Sequence, residues 1–121
     1  VYGYSWGCGN GVVNLAKALK SRAEEIDHAV LSDPVVYSSW PTWTAKFLTV
    51  FLRKSIDLPS NIGRIDWFRQ TNGLPYGCDL NAAKGSKTII TPPTVLDLPH
   101  EAMDDATEWH DRCLAVAGLA P

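Results

Sequence analysis

Within its first seven residues the chain runs Gly3-Tyr4-Ser5-Trp6-Gly7, and this pentapeptide restricts the fold more than any other stretch. A serine with glycine two residues away on either side suits a sharp turn in which a strand ends and a helix begins. Such a turn strains the serine backbone and leaves no space for flanking side chains. With Gly and Ser each at about 7% usage, roughly 0.04 matches are expected by chance in a chain of this length. The flanks strengthen the reading. Val1 to Tyr4 look like the tail of a strand, and Val12 to Glu25 carries helix formers with Val12, Leu15, Ala16 and Leu19 on one face.

The rest of the chain continues this alternation. Ile26 to Leu31 is an apolar run interrupted by Asp27 and His28 and stopped by Ser32-Asp33-Pro34, which predicts a buried parallel strand. Strand, helix and strand make a βαβ crossover. Between Val35 and Pro59, Trp40, Trp43, Phe47 and Phe51 recur near helical spacing, with Pro41 suited to a first turn. Further strands are expected at Arg64 to Arg69 and Thr88 to Thr91, with the turn-rich Asn72 to Gly77 between them. Pro92, Pro93 and Pro99 then break regular structure before His100, and Ala102 to Leu119 reads as a closing helix packed through Trp109, Cys113, Leu114 and Val116. The expected class is α/β with a parallel sheet. Because the chain opens on Val1-Tyr2 and few strands remain to cover a long sheet edge, an amino-terminal portion is expected to precede it.

Charge and composition exclude several classes. The net charge is −2 and the basic residues are scattered, Lys17, Lys20 and Arg22 being the nearest to a cluster, so nucleic acid is not an expected partner. No stretch reaches the roughly 20 apolar residues of a transmembrane helix. Three cysteines, Cys8, Cys78 and Cys113, read as free thiols rather than as a disulfide framework. Together with His28, His100 and His110 they show no zinc-ligand spacing, so neither a metal nor a cofactor is expected. Gly7, Gly9 and Gly11 crowd one loop, but no clean G-x-G-x-x-G with its partner acid and no Walker lysine follows.

A serine at such a turn lies at a helix amino terminus, where N–H groups and the helix dipole favour developing negative charge. The Trp6 N–H is the expected oxyanion donor. The serine needs a base, and of the three histidines His28 falls inside a strand and His110 inside a helix, whereas His100 follows the last strand candidate in a loop. For the acid, Asp33 ends the strand after the turn helix and projects at the same sheet edge as Ser5. Asp79, after the later strand, is the alternative, and Asp97 a third.

Taken together, Gly3-Tyr4-Ser5-Trp6-Gly7 with its helix, Val30-Leu31-Ser32-Asp33-Pro34-Val35 at a strand end, and His100 ahead of the closing helix resemble the α/β-hydrolase superfamily. The likeness is to its lipase and esterase-like members, across the second half of that fold. Leu58-Pro59-Ser60-Asn61-Ile62 looks like the approach to the next strand in such proteins. The resemblance implies Ser5 as nucleophile, Asp33 as acid and His100 as base of an enzyme cleaving small-molecule or lipid esters. It also implies that residues 1–121 form the carboxyl-terminal part of one domain. At about 36–60, Trp40, Trp43, Phe47 and Phe51 read either as a lid or acyl-binding wall or as aromatics of the core. Two alternatives accompany this reading: a non-catalytic module that offers those aromatics to a partner, and an acyltransferase that uses the same triad.

Overall fold

A computed structural model of the chain describes residues 1–36 and 55–119. Strand β1 (Tyr2–Tyr4) leads through Ser5 and Trp6 into a π-helical stretch, Gly7–Val12, that continues as helix α1 (Val13–Lys20). Then follow β2 (Ile26–Ser32), β3 (Ser55–Leu58), β4 (Ile62–Gln70), β5 (Asp79–Ala82), β6 (Ile89–Ile90) and β7 (Thr94–Leu96). A 3₁₀ turn, His100–Ala102, precedes helix α2 (Thr107–Val116).

The main sheet runs β1-β2-β4-β6, with β7 also pairing with β4, and every pair is parallel. Parallel strands need crossovers and are covered on both faces, and the side-chain period of two sorts the residues accordingly. Ala29 and Leu31 of β2, with Ile65 and Trp67 of β4, pack against Cys8, Val12, Val13 and Ala16 around α1. Val30 and Phe68 face the other way, joining Leu96, Met103 and Ala106, against which Trp109, Cys113 and Val116 of α2 pack. The βαβ crossover and the parallel α/β class are therefore as expected.

Several local expectations are corrected. The first helix starts earlier and ends sooner: the chain turns at Ser21–Ala23, with Ala23 in the left-handed region at φ 58°. Leu15 and Leu114 are exposed, so the buried residues of α1 are Val13 and Ala16, with Val12 just before it, and α2 packs through the partly buried Trp109, Cys113 and Val116. The closing helix is shorter than Ala102 to Leu119, because the 3₁₀ turn and residues 103–106 come first. Strand β3 occupies the end of the stretch read as lid or insertion, and it pairs with β5 in a separate two-stranded parallel sheet. Strand β7 forms between Pro93 and Pro99, where regular structure was expected to be broken. Trp40, Trp43, Phe47 and Phe51 lie outside the described residues.

On the α2 face a charge cluster ties helix to sheet. Asp66 of β4 accepts from Arg112 Nε of α2 at 2.7 Å and Arg64 Nε of β4 at 3.1 Å, and meets His28 Nε2 of β2 at 2.7 Å. Burial alone would raise the Asp66 carboxyl, but the hydrogen bonds from Arg112, His28 and Arg64 outweigh it and hold the group near pKa 2. Because the folded value is depressed, the contribution is fully present above the unfolded carboxyl range near pH 4 and is lost as pH falls through about 2. Its size is on the order of 2 kcal/mol. Acid unfolding monitored by circular dichroism between pH 5 and 2 is expected to weaken the native chain more steeply than the Asp66→Asn variant, which starts less stable and carries less of this dependence.

Candidate active site

The carboxyl ends of β1, β2 and β4 meet at one sheet edge, the usual place for a site in a parallel α/β fold. Tyr4 pairs with Ser32, so Ser5 and Asp33 each stand one residue beyond the ends of neighbouring strands. Ser32 in turn pairs with Phe68 of β4, and Phe68 to Gln70 pair with Thr94 to Leu96 of β7. The chain leaving β7 reaches the same edge within four residues, at His100.

Both turn residues adopt left-handed backbone: Ser5 at φ 52° and Asp33 at φ 41°. For a serine this conformation costs about 1–2 kcal/mol, and three backbone bonds enforce it. Ser5 N–H donates to Ser32 O at 2.9 Å, while Ser5 O accepts from Cys8 N at 3.1 Å and Val35 N at 3.1 Å. Close packing also explains two of the glycines. A Cβ on Gly3 would stand 3.1 Å from Val12 Cγ2 and 3.2 Å from Cys8 Sγ, and one on Gly9 would stand 2.2 Å from Val35 O. At Gly7 and Gly11 nothing among the described residues comes within 4 Å, so crowding does not account for those two glycines.

The turns bring three distant side chains into one line. Ser5 Oγ and His100 Nε2 are 2.8 Å apart, and His100 Nδ1 is 2.5 Å from Asp33 Oδ2. Asp33 is fully buried and the imidazole is 12% exposed, which leaves Ser5 as the end of the line nearest solvent. An imidazole whose Nδ1–H is donated to a carboxylate presents a bare Nε2 lone pair to the hydroxyl, the arrangement needed to accept its proton.

Asp33 is held by the end of β4 and the loop that follows it. Asp33 N–H donates to Phe68 O at 2.9 Å, Cys78 N–H donates to Pro34 O at 2.6 Å, and Gln70 N–H makes a long 3.5 Å contact to Asp33 Oδ1. Gly77 lies so close that a Cβ there would stand 2.1 Å from Asp33 Oδ1. Gln70, itself buried, donates from its amide to Pro75 O at 2.8 Å and fastens this loop.

The other candidate groups fall elsewhere. Asp79 pairs with Arg69 Nη1 at 3.0 Å and makes no contact with His100, so the alternative acid is not part of the line. Asp97 accepts from Asn72 Nδ2 at 3.5 Å. His28 belongs to the Asp66 cluster, and His110 is exposed, with Nε2 2.6 Å from Asp104 O. Trp6 is the first helical residue after Ser5, so its N–H is among those left without an intrahelical partner; its side chain is 53% exposed. Cys8, Cys78 and Cys113 form no disulfide. Cys8, next to the turn, donates to Ser32 O at 3.4 Å, and burial pushes its thiol far above its usual range.

Sequence reasoning missed two neighbours of the line. Tyr4 stacks on His100, and Gly77 abuts Asp33. Tyr4 was open to notice as the residue between Gly3 and Ser5, but nothing in the sequence places its ring. Gly77 sits among turn residues and shows no separate signal.

No known protein family, curated protein or solved structure matches the chain. Among the described residues no helix is long and apolar enough to cross a membrane.

Proposed function

We propose that this chain carries the catalytic triad of a serine hydrolase of the α/β-hydrolase kind, cleaving carboxylic esters through an acyl-enzyme. The observation that carries the reading is the unbroken line from Ser5 Oγ through His100 to the buried Asp33, joining residues 95 and 67 positions apart. The strained backbone at the serine and the helix start behind it support the same assignment.

In this reading His100 Nε2 takes the Ser5 proton as Oγ attacks the ester carbonyl carbon. The resulting oxyanion is met by the Trp6 N–H, and the imidazolium faces the Asp33 carboxylate. Collapse expels the alkoxide, which leaves as alcohol with the proton from Nε2, and Ser5 remains acylated. Water then attacks the acyl group, giving its proton to Nε2, and the carboxylic acid departs as Ser5 recovers its proton.

A fluorophosphonate probe tests this directly in the full-length protein that carries the chain. Phosphonylation mapped by mass spectrometry to the peptide containing Ser5, and blocked by prior incubation with a phenyl or acyl ester, is the expected result. A folded protein that takes up no label at Ser5 would refute the reading.

A further inference from the structure

Beside the line of Ser5, His100 and Asp33, one aromatic side chain grips His100 in two ways at once. The Tyr4 ring stacks on the imidazole with centroids 5.3 Å apart and planes 25° from parallel. Its hydroxyl donates to the His100 main-chain carbonyl at 2.7 Å. Tyr4 is itself fixed at the end of β1 by its pairing with Ser32, and it packs against Val30, Phe68, Leu96, Met103 and Ala106. The strand that delivers the serine therefore also delivers the residue that holds the histidine.

We propose that Tyr4 is a positioning residue for His100: its ring supports the imidazolium formed when Ser5 gives up its proton, and its hydroxyl fixes the backbone from which the imidazole hangs. The inference rests on the triad reading above. A cation within about 6 Å of an aromatic face is stabilised relative to its neutral form, and the stacked ring meets that condition only once His100 is protonated. The hydroxyl contact holds across the working range of pH, because burial, helped by the carboxylates of Asp104, Asp33, Glu101 and Asp105, pushes the Tyr4 phenol up. The charged groups around the pair are Asp33, behind the imidazole, and Glu101, Asp104 and Asp105 on the turn leading to α2.

The test follows the His100 imidazole by nuclear magnetic resonance through a pH titration, with ester turnover measured beside it, in the full-length protein. Tyr4→Leu should move the His100 midpoint down by roughly half a pH unit or more. It should also lower kcat tenfold or more while KM stays within about twofold. Tyr4→Phe keeps the ring and loses the hydroxyl, so it should titrate like the native protein and lose only a few-fold in kcat. Should the leucine variant fail to fold, Tyr4→Met takes its place with the same expectation. A His100 midpoint unchanged in the folded leucine or methionine variant would overturn the proposal, whatever happened to thermal stability. If the native protein hydrolyses no ester, the triad reading fails, and the imidazole titration still decides the Tyr4 contact by itself.

Discussion

Replacing Ser5 with alanine is expected to abolish both ester turnover and covalent labelling while leaving the fold intact, and His100→Ala should do the same to turnover. Removal of a nucleophile or its base from such a unit commonly lowers kcat by about 10⁴–10⁶-fold. The fold should survive in each case for different reasons. The hydroxyl of Ser5 contributes one part-buried hydrogen bond, whereas the backbone that builds the turn is held by Ser32, Cys8 and Val35 and does not depend on the side chain. Alanine at a left-handed position costs no more than serine, since both carry a Cβ. Losing His100 leaves the buried Asp33 carboxylate without its partner, so that variant should be the less stable of the two. The double variant should be no worse in turnover than either single one, because the residues act together. Turnover of each variant, with circular dichroism to certify folding, checks the expectation. A folded Ser5→Ala protein with native turnover would end the assignment.

The elements that the sequence displays clearly are those in which one physical requirement dominates. The turn at Ser5 needs glycine at Gly3, where the chain passes within van der Waals distance of Val12 and Cys8, and it needs a strand and a helix at its sides. Strand β2 is apolar on both faces because α1 covers one and α2 the other, and Asp33 stands out as the charge that ends it. His100 stands out because the other two histidines lie inside regular elements. What was hidden depends on partners remote in sequence. Asp79–Ala82 is only four residues long, too short for the alternation of Leu80 and Ala82 to stand out, and it pairs with β3 alongside it. Thr94–Leu96 is three residues between prolines, extended by pairing with the long β4. The choice of Asp33 over Asp79 was open in the sequence, since Asp33 ends one strand candidate and Asp79 follows another. Register favours Asp33, because the pairing of Tyr4 with Ser32 puts it beside the serine turn, while Asp79 pairs with Arg69.

That difference makes the acid the most discriminating residue in the site. Asp33→Asn is expected to lower kcat by about 10⁴-fold, and Asp79→Asn by less than about threefold. The mechanism is one of tautomer rather than of charge alone. The Asp33 carboxylate can only accept, so it keeps the imidazole proton on Nδ1 and leaves Nε2 free to receive the Ser5 proton. An asparagine can turn its amide toward Nδ1 and donate, which places the imidazole proton on Nε2, facing Ser5, where it blocks proton transfer. The volume is unchanged and the backbone tie from Asp33 N to Phe68 O is kept, so the fold should tolerate the exchange. Gly77→Ala probes the same group by crowding: its new Cβ would press on Oδ1 of Asp33, and turnover should fall although no triad residue has been altered. Raising the pH separates the two defects. The Asp33→Asn variant should recover part of its rate in strong alkali, where hydroxide can remove the misplaced proton or deprotonate Ser5 directly, whereas Gly77→Ala, which displaces Asp33 but keeps its charge, should recover none. A severe loss in Asp79→Asn with a mild one in Asp33→Asn would instead move the acid to the start of β5, and would require the loop from Asn72 to Cys78 to rearrange before His100 could reach it.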